Sequence, residues 1–362
     1  MKFIFLQNSA TQPRCHKRFR NFTKAGIEGE VYSFNRNWYN VNLPTDIHIH
    51  SLGDLEPGSY WKRLKLYIKK LRPIFRNNRD AVFYCYGQDM AFVAMLFGQK
   101  YIYEESDIMY LEYKSVLMRW LMRRLDLLIQ HRSIASVFTS QGFVYYLYQN
   151  APESVFVLPN KLDKYFVGKE RPANKSFDID ALRFAFIGLL RYPGTIFPFI
   201  EAMSKSNPRH EFHIWGDGGE GIKNQILALC KQNSQVQYHG PFRNPVDLAD
   251  IYAQIDINFV CYDTAGRNER IAEPNKLYES TFFNAPILVS PKTYLAHVVE
   301  EKGTGYVLNC KDQTELTRFF DNIKEEVIKD KVMACEAIPS EDLIDGIEVY
   351  ENISKYVKSK IG

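Results

Sequence analysis

Residues 182–194 read LRFAFIGLLRYPG. The apolar run 182–187 leads into Gly188, an arginine and a Pro-Gly pair, and a helical period follows over 196–205. A short apolar run without polar alternation predicts a strand covered on both faces, which requires helices above and below its sheet. The unit recurs outward from there. Strands are predicted over 211–215, 235–239, 255–261, 286–289 and 305–308, with helices over 221–232, 247–253, 275–283 and 313–328. The first half repeats the pattern, with strands over 2–6, 30–34, 46–51, 81–86, 100–104, 126–129, 135–139 and 154–158, and helices including 60–75 and 112–124. Strands alternating with helices predict an α/β chain of two doubly wound parallel sheets.

A chain of 362 residues is also longer than one hydrophobic core usually organises. The apolar period lapses around 159–180, which holds two prolines and many charges. The predicted division is a first domain over 1–160, a linker over 161–180, a second domain over 181–338 and an amphipathic C-terminal helix over 339–362 that packs back on the first domain. Ligands of open α/β sheets bind beyond the carboxyl ends of the strands, so two such domains are expected to share a cleft.

An apolar share of 46 % with 24 % charged residues excludes a disordered or low-complexity chain. The six cysteines are scattered without zinc spacing and read as reduced thiols. The apolar run near the amino terminus, Phe3 to Leu6, is too short for a secretion signal and reads as a strand. Charge is uneven. Residues 1–165 carry 23 Lys/Arg against 14 Asp/Glu, and residues 166–362 carry 23 against 28, so +9 and −5 make up the net +4. A basic half is expected to meet something anionic.

Three successive strands of the second half end in glycine turns: Gly188-Leu189-Leu190-Arg191, Gly216-Asp217-Gly218-Gly219 and His239-Gly240-Pro241-Phe242. Such turns admit a ligand close to the backbone, although each also reads as an ordinary tight turn. Farther along, Glu273-Pro274-Asn275-Lys276-Leu277-Tyr278-Glu279 starts a helix at Pro274 and sets Lys276 and Glu279 on one face. A cation there suits a phosphate and the carboxylate suits a ribose diol; a surface ion pair is the plain alternative.

This ordered set resembles glycosyltransferase family 4 and its GT-B relatives, as does Leu158-Pro159-Asn160-Lys161-Leu162-Asp163 at the domain junction. The resemblance covers roughly 155–310 well and 1–150 loosely. It implies GT-B architecture, two Rossmann-like domains, and a nucleotide-sugar donor, UDP-linked by preference, held by Gly188, Arg191, Gly216, Asp217, Lys276, Leu277 and Glu279. Arg191 and Lys276 would meet the diphosphate and Glu279 the ribose. It implies retention of configuration, no metal and no other cofactor; Asp178-Ile179-Asp180 is read as a chance match to a metal motif. Two positions depart from the family pattern. Ile271 stands where a carboxylate is frequent, and Tyr103-Glu104-Glu105-Ser106-Asp107 has no histidine where relatives offer one. Glu105 or Asp107 would then serve as polar group or general base, or Ser106-Asp107 simply caps a helix.

The basic partner region is 59–76, with seven Lys/Arg among Trp61, Tyr67 and aliphatic residues, joined by 118–132. Both read as anionic-membrane contacts or as helices packed on their own sheet. Arg14, Lys17, Arg18, Arg20 and Lys24 are candidates for an acceptor pyrophosphate. Nucleic acid is not expected. The sequence thus points to transfer of a sugar from a nucleotide donor to a saccharide or lipid-linked acceptor in surface-polysaccharide synthesis. The setting would be the cytoplasmic face of the cell membrane. A non-catalytic GT-B protein and a sugar-nucleotide epimerase remain the alternatives.

Overall fold

A computed structural model describes residues 1–36, 43–56, 59–172 and 176–362. The chain forms two compact units, 1–159 with 346–362, and 160–345. Residues 173–175 of the expected linker lie outside the described residues.

Unit 1 carries β1 (Lys2–Gln7), α1 (Pro13–Lys24), β2 (Glu28–Asn35), β3 (Ile49–Asp54), α2 (Tyr60–Asn77), β4 (Val82–Tyr86), α3 (Gln88–Leu96), β5 (Tyr101–Glu105), α4 (Val116–Arg132), β6 (Ala135–Phe138), α5 (Gln141–Leu147) and β7 (Val155–Val157). The strands pair in parallel in the order β3-β2-β1-β4-β5-β6-β7. β4 and β5 are buried along their whole length, as a sheet with both faces covered requires. The expected strand 126–129 is instead part of α4. Asp126, Ile129 and Gln130 are its buried positions, a helical spacing that a short apolar run does not reveal.

Unit 2 carries β8 (Arg183–Ile187), α6 (Pro193–Ser206), β9 (Glu211–Trp215), α7 (Glu220–Gln232), β10 (Val236–Gly240), α8 (Leu248–Ala253), β11 (Ile257–Val260), α9 (Lys276–Phe282), β12 (Ile287–Val289), α10 (Tyr294–Lys302), β13 (Gly305–Val307), α11 (Gln313–Asn322), α12 (Glu325–Ala337) and α13 (Ser340–Leu343). Its order is β10-β9-β8-β11-β12-β13, again parallel. α6 buries Ile196, Phe199, Ile200 and Met203, one face at i, i+3, i+4 and i+7, on one side of the sheet. The single helix expected over 313–328 is two, because the chain extends at Ile323 and Lys324. The break lets Leu316 and Phe320 before it, and Ile328 and Val332 after it, reach one apolar cluster.

The segment read as a linker is packed structure. Leu162 and Phe166 lie in the core of unit 2, and Leu162 pairs with Ile344. Arg171 donates to the carbonyls of Thr281 (2.7 Å), Phe282 (3.1 Å), Cys335 (2.7 Å) and Ile338 (2.6 Å). A guanidinium thus adds donors to the carbonyls that end α9 and α12. The tail is likewise not one helix. After α13 the chain passes Gly346 and forms α14 (Glu348–Ile361), whose Tyr350, Ile353 and Val357 complete a core of unit 1.

Arg18 explains that attachment. Fully buried, it donates to the Tyr350 hydroxyl at 2.8 Å and to the Leu158 carbonyl, and its Nε lies 3.5 Å from the Glu104 carboxylate. Arg14 flanks the same carboxylate at 3.4 Å, and Arg20 pairs with Asp46. Of the cations considered for an acceptor pyrophosphate, Arg18 is therefore a structural tie. Losing one partner of so buried a pair costs about 3–5 kcal/mol.

Candidate functional site

The strand order of unit 2 reverses between β8 and β11, so the loops leaving these strands diverge at the carboxyl edge and open a crevice. Gly188 follows β8 and Gly216 follows β9, both with φ of 145°. A Cβ on Gly216 would lie 1.7 Å from the Gly188 carbonyl oxygen, so only glycine permits the approach. Backbone bonds lace the turns together: Gly188 N–H to Trp215 O (2.9 Å), Gly216 N–H to Gly240 O (2.8 Å) and Leu190 N–H to Asp217 O (2.9 Å). Asp217 is exposed and accepts from Gly218 N–H at 2.9 Å and from Lys223 at 3.3 Å.

Arg191 is exposed on the loop after β8. Beside it Tyr192 adopts a left-handed conformation, φ 63° and ψ 48°, which is costly for an aromatic residue. Its ring stacks on Tyr262, in the loop after β11, at 4.8 Å, and its hydroxyl donates to Glu269 at 3.2 Å. These contacts span the switch point and fix the turn that carries Arg191.

Lys276 opens α9 and reaches back over the first turn, where a Cβ on Gly188 would sit 3.7 Å from its Cε. Its ammonium lies 5.7 Å from the centre of the Phe242 ring. Glu279 is 2 % exposed and fully engaged. Its Oε2 accepts from Lys276 Nζ at 2.6 Å and from the Tyr252 hydroxyl at 3.3 Å; its Oε1 accepts from the side chains of Asn275 at 2.5 Å and Asn244 at 3.3 Å. The two groups assigned to separate parts of a donor thus bond each other, as a buried cation and a buried anion one helical turn apart must. Leu277 turns its side chain away from the crevice. It is 4 % exposed, and its side chain packs in the apolar core with Ile187 and Val260.

In unit 1, β5 alternates faces, so Glu104 turns toward Arg14 and Arg18 and Glu105 toward the opposite core. Glu105 is 2 % exposed, and burial first, then the neighbouring Asp126 carboxylate, holds its carboxyl well above the usual range. Burial also pushes Asp126 up, to about 7, while Tyr103 and Gln130 donate to it at 2.9 and 2.7 Å. Sealed in the core, Glu105 is out of reach of an acceptor, so it is corrected from candidate base to structural residue. Asp107 is exposed just beyond β5.

Sequence reasoning missed Asn244, Asn275 and Tyr252, which complete the Glu279 shell. The Asn-Pro pair at 244–245 signals only a turn, and Tyr252 reads as one more apolar position of α8. Asp178 and Asp180 flank a short turn and face Arg209, with Asp178 at 2.6 Å. Among the described residues no group of three His, Cys, Asp or Glu is placed to hold a metal ion.

No family model matches the chain, and no curated protein matches it. Solved structures do. HepE of Anabaena, in complex with UDP and glucose, is 15 % identical, with a TM-score of 0.68 over 98 % of this chain and 99 % of that one. Sucrose-phosphate synthase from Thermosynechococcus elongatus is 11 % identical, with a TM-score of 0.72 over 99 % of each chain. WaaG, a glycosyltransferase involved in lipopolysaccharide biosynthesis, is 13 % identical, with a TM-score of 0.68 over 97 % of this chain and 99 % of that one. Structural neighbours of this kind, together with the two parallel sheets, show that the chain has the GT-B fold.

Proposed function

We propose that the protein is a metal-independent glycosyltransferase. It moves a sugar from a UDP-sugar to a saccharide or lipid-pyrophosphate-linked saccharide, with retention of configuration, in the synthesis of a surface polysaccharide. The observation that carries this reading is the buried Lys276–Glu279 pair lying over the Gly188–Gly216 turns at the switch point of unit 2. Neighbours seen with UDP and glucose, or named for lipopolysaccharide biosynthesis, support the donor and the setting.

In this reading Arg191 and Lys276 stabilise the negative charge that grows on the departing nucleoside diphosphate. Binding of the ribose hydroxyls to Glu279 replaces bonds now made by Asn244 and Asn275. Asp107 is the remaining candidate in unit 1 for a polar group or base near the acceptor. The anionic face of the cell membrane supplies the lipid-linked acceptor.

The test is acceptor-dependent release of UDP from a UDP-sugar in the presence of a chelator. Arg191→Ala, at an exposed position, is expected to lower turnover at least a hundredfold, the scale of losing one transition-state charge contact, at an unchanged melting temperature. Loss of fold and activity in parallel contradicts the assignment. The burial of Glu105 favours one rival reading, a GT-B protein that binds donor without turnover; donor binding without release of UDP with any acceptor supports that rival.

A further inference from the structure

We infer that the start of α4, with the residues beside it, is the surface by which unit 1 lies on an anionic phospholipid bilayer. The inference rests on the membrane part of the proposed function and not on sugar transfer.

The two basic stretches of the first half fold differently. In α2 the apolar residues Leu64, Tyr67, Ile68, Leu71 and Phe75 turn into the core of unit 1, and Lys62, Lys65, Lys69, Lys70, Arg72 and Arg76 stay outside. That stretch, the main membrane candidate in the sequence, buries most of its apolar face and leaves only Trp61 strongly exposed at its start. In α4 the apolar residues of the first two turns remain outside. Val116 is 72 % exposed and Leu117 64 %, and Met118, Trp120 and Leu121 are exposed beside them. Met109, just before the helix, and Tyr145, on α5, are exposed as well. Large apolar side chains exposed in a cluster mark an interaction surface, whereas scattered ones do not.

The charge pattern selects the partner. From Tyr113 to Leu125 the sequence holds Lys114, Arg119, Arg123 and Arg124 and no Asp or Glu. The guanidinium of Arg124 lies 5.4 Å from the Trp120 ring centre and that of Arg123 5.4 Å from the Tyr146 ring centre, so cations and aromatics are interleaved. Aliphatic and tryptophan side chains bordered by cations suit the boundary between acyl chains and anionic headgroups. Each cation near such a surface raises affinity about fivefold. A second copy of the chain fits worse, because a two-fold contact through this face would set Arg123 and Arg124 near their own copies.

The surface is also preformed. Ser115 caps the helix by accepting from Met118 N–H at 3.3 Å, and Arg119 donates to the carbonyls of Tyr113 and Lys114 at 2.5 and 2.9 Å. No ordering of this segment is then needed on binding. Among the described residues no helix is long and apolar enough to cross a membrane, so the contact is one of lying on the surface.

The test is co-sedimentation of the full chain with phosphatidylcholine vesicles with and without phosphatidylglycerol, at low and high salt. The chain is expected to bind the anionic vesicles and to be released by salt. The variant Leu117→Ser/Trp120→Ser/Leu121→Ser, all exposed positions, is expected to bind at least tenfold more weakly at an unchanged melting temperature. Lys114→Glu/Arg123→Glu/Arg124→Glu is expected to lose the preference for anionic lipid. The inference is overturned if the unaltered chain ignores anionic vesicles, if the serine variant binds as well as it does, or if a dimer in sedimentation equilibrium disappears in that variant. A UDP-induced melting shift measured on the same samples separates the two readings, since a missing shift touches sugar transfer alone.

Discussion

Each unit reverses its strand order once, between β1 and β4 in unit 1 and between β8 and β11 in unit 2, but the two reversal points are made of different chemistry. In unit 1 the loops after β1 and β4 meet through neutral groups, Asn8 donating to the Tyr86 carbonyl at 3.4 Å beside Gly87. The acids one strand away, Glu104 and Glu105, are turned into the two cores. In unit 2 the Gly188 and Gly216 turns lie under the Lys276–Glu279 pair that opens α9, and Arg191 stands exposed on the loop after β8. The same topology offers a crevice twice, and the side chains decide which one suits a diphosphate.

The comparison is sharpest at the glycines. Gly216→Ala forces a Cβ against the Gly188 carbonyl and is expected to cost more than about 4 kcal/mol, the range of severe core defects. Gly87 has φ of 88°, but the nearest atom to a Cβ there, Asn8 Nδ2, is 3.6 Å away. Gly87→Ala should therefore cost only the strain of a backbone region that glycine alone adopts readily, φ 88° and ψ 159°, about 1–3 kcal/mol. Urea unfolding of both variants measures this; equal losses break the comparison.

A smaller effect separates the units by pH. Burial raises the carboxyls of Glu105 and Asp126, so the folded state binds their protons more tightly than the unfolded state does. Their contribution to stability is full below the ordinary carboxylate range, about pH 4, and for Asp126 it is lost as pH rises through about 7. Unit 1 is expected to melt progressively lower across that window, and Glu105→Gln with Asp126→Asn to flatten the profile. A profile unchanged by the double variant would mean that the pair is not held as described.

What the sequence made legible follows physical range. The strand runs and the glycine turns of unit 2 could be read because periodicity and glycine act within a few residues. Lys276 and Glu279 could be placed on one face because helical spacing is local. The partners of Glu104 and Glu105 could not be read, since Arg18 and Asp126 come from distant elements on opposite faces of the sheet. Residues 161–172 looked like a linker because Arg171 works by capping two helices more than a hundred residues later. The two basic stretches read alike, and only the fold distinguishes the buried apolar face of α2 from the exposed one of α4.

In the proposed function unit 2 holds a uridine diphosphate through the Lys276–Glu279 pair and Arg191. Thermal unfolding with UDP, GDP, CMP and ADP, each with and without magnesium, tests it most directly. UDP at a hundredfold excess over its Kd should stabilise by about 2.7 kcal/mol, about 5–10 °C for a unit of this size. The shift should be independent of magnesium and lost in Glu279→Gln, with the exposed Arg191→Ala as a second variant that leaves the buried pair intact. No shift with any nucleotide, or a UDP shift that survives both substitutions, would contradict the account.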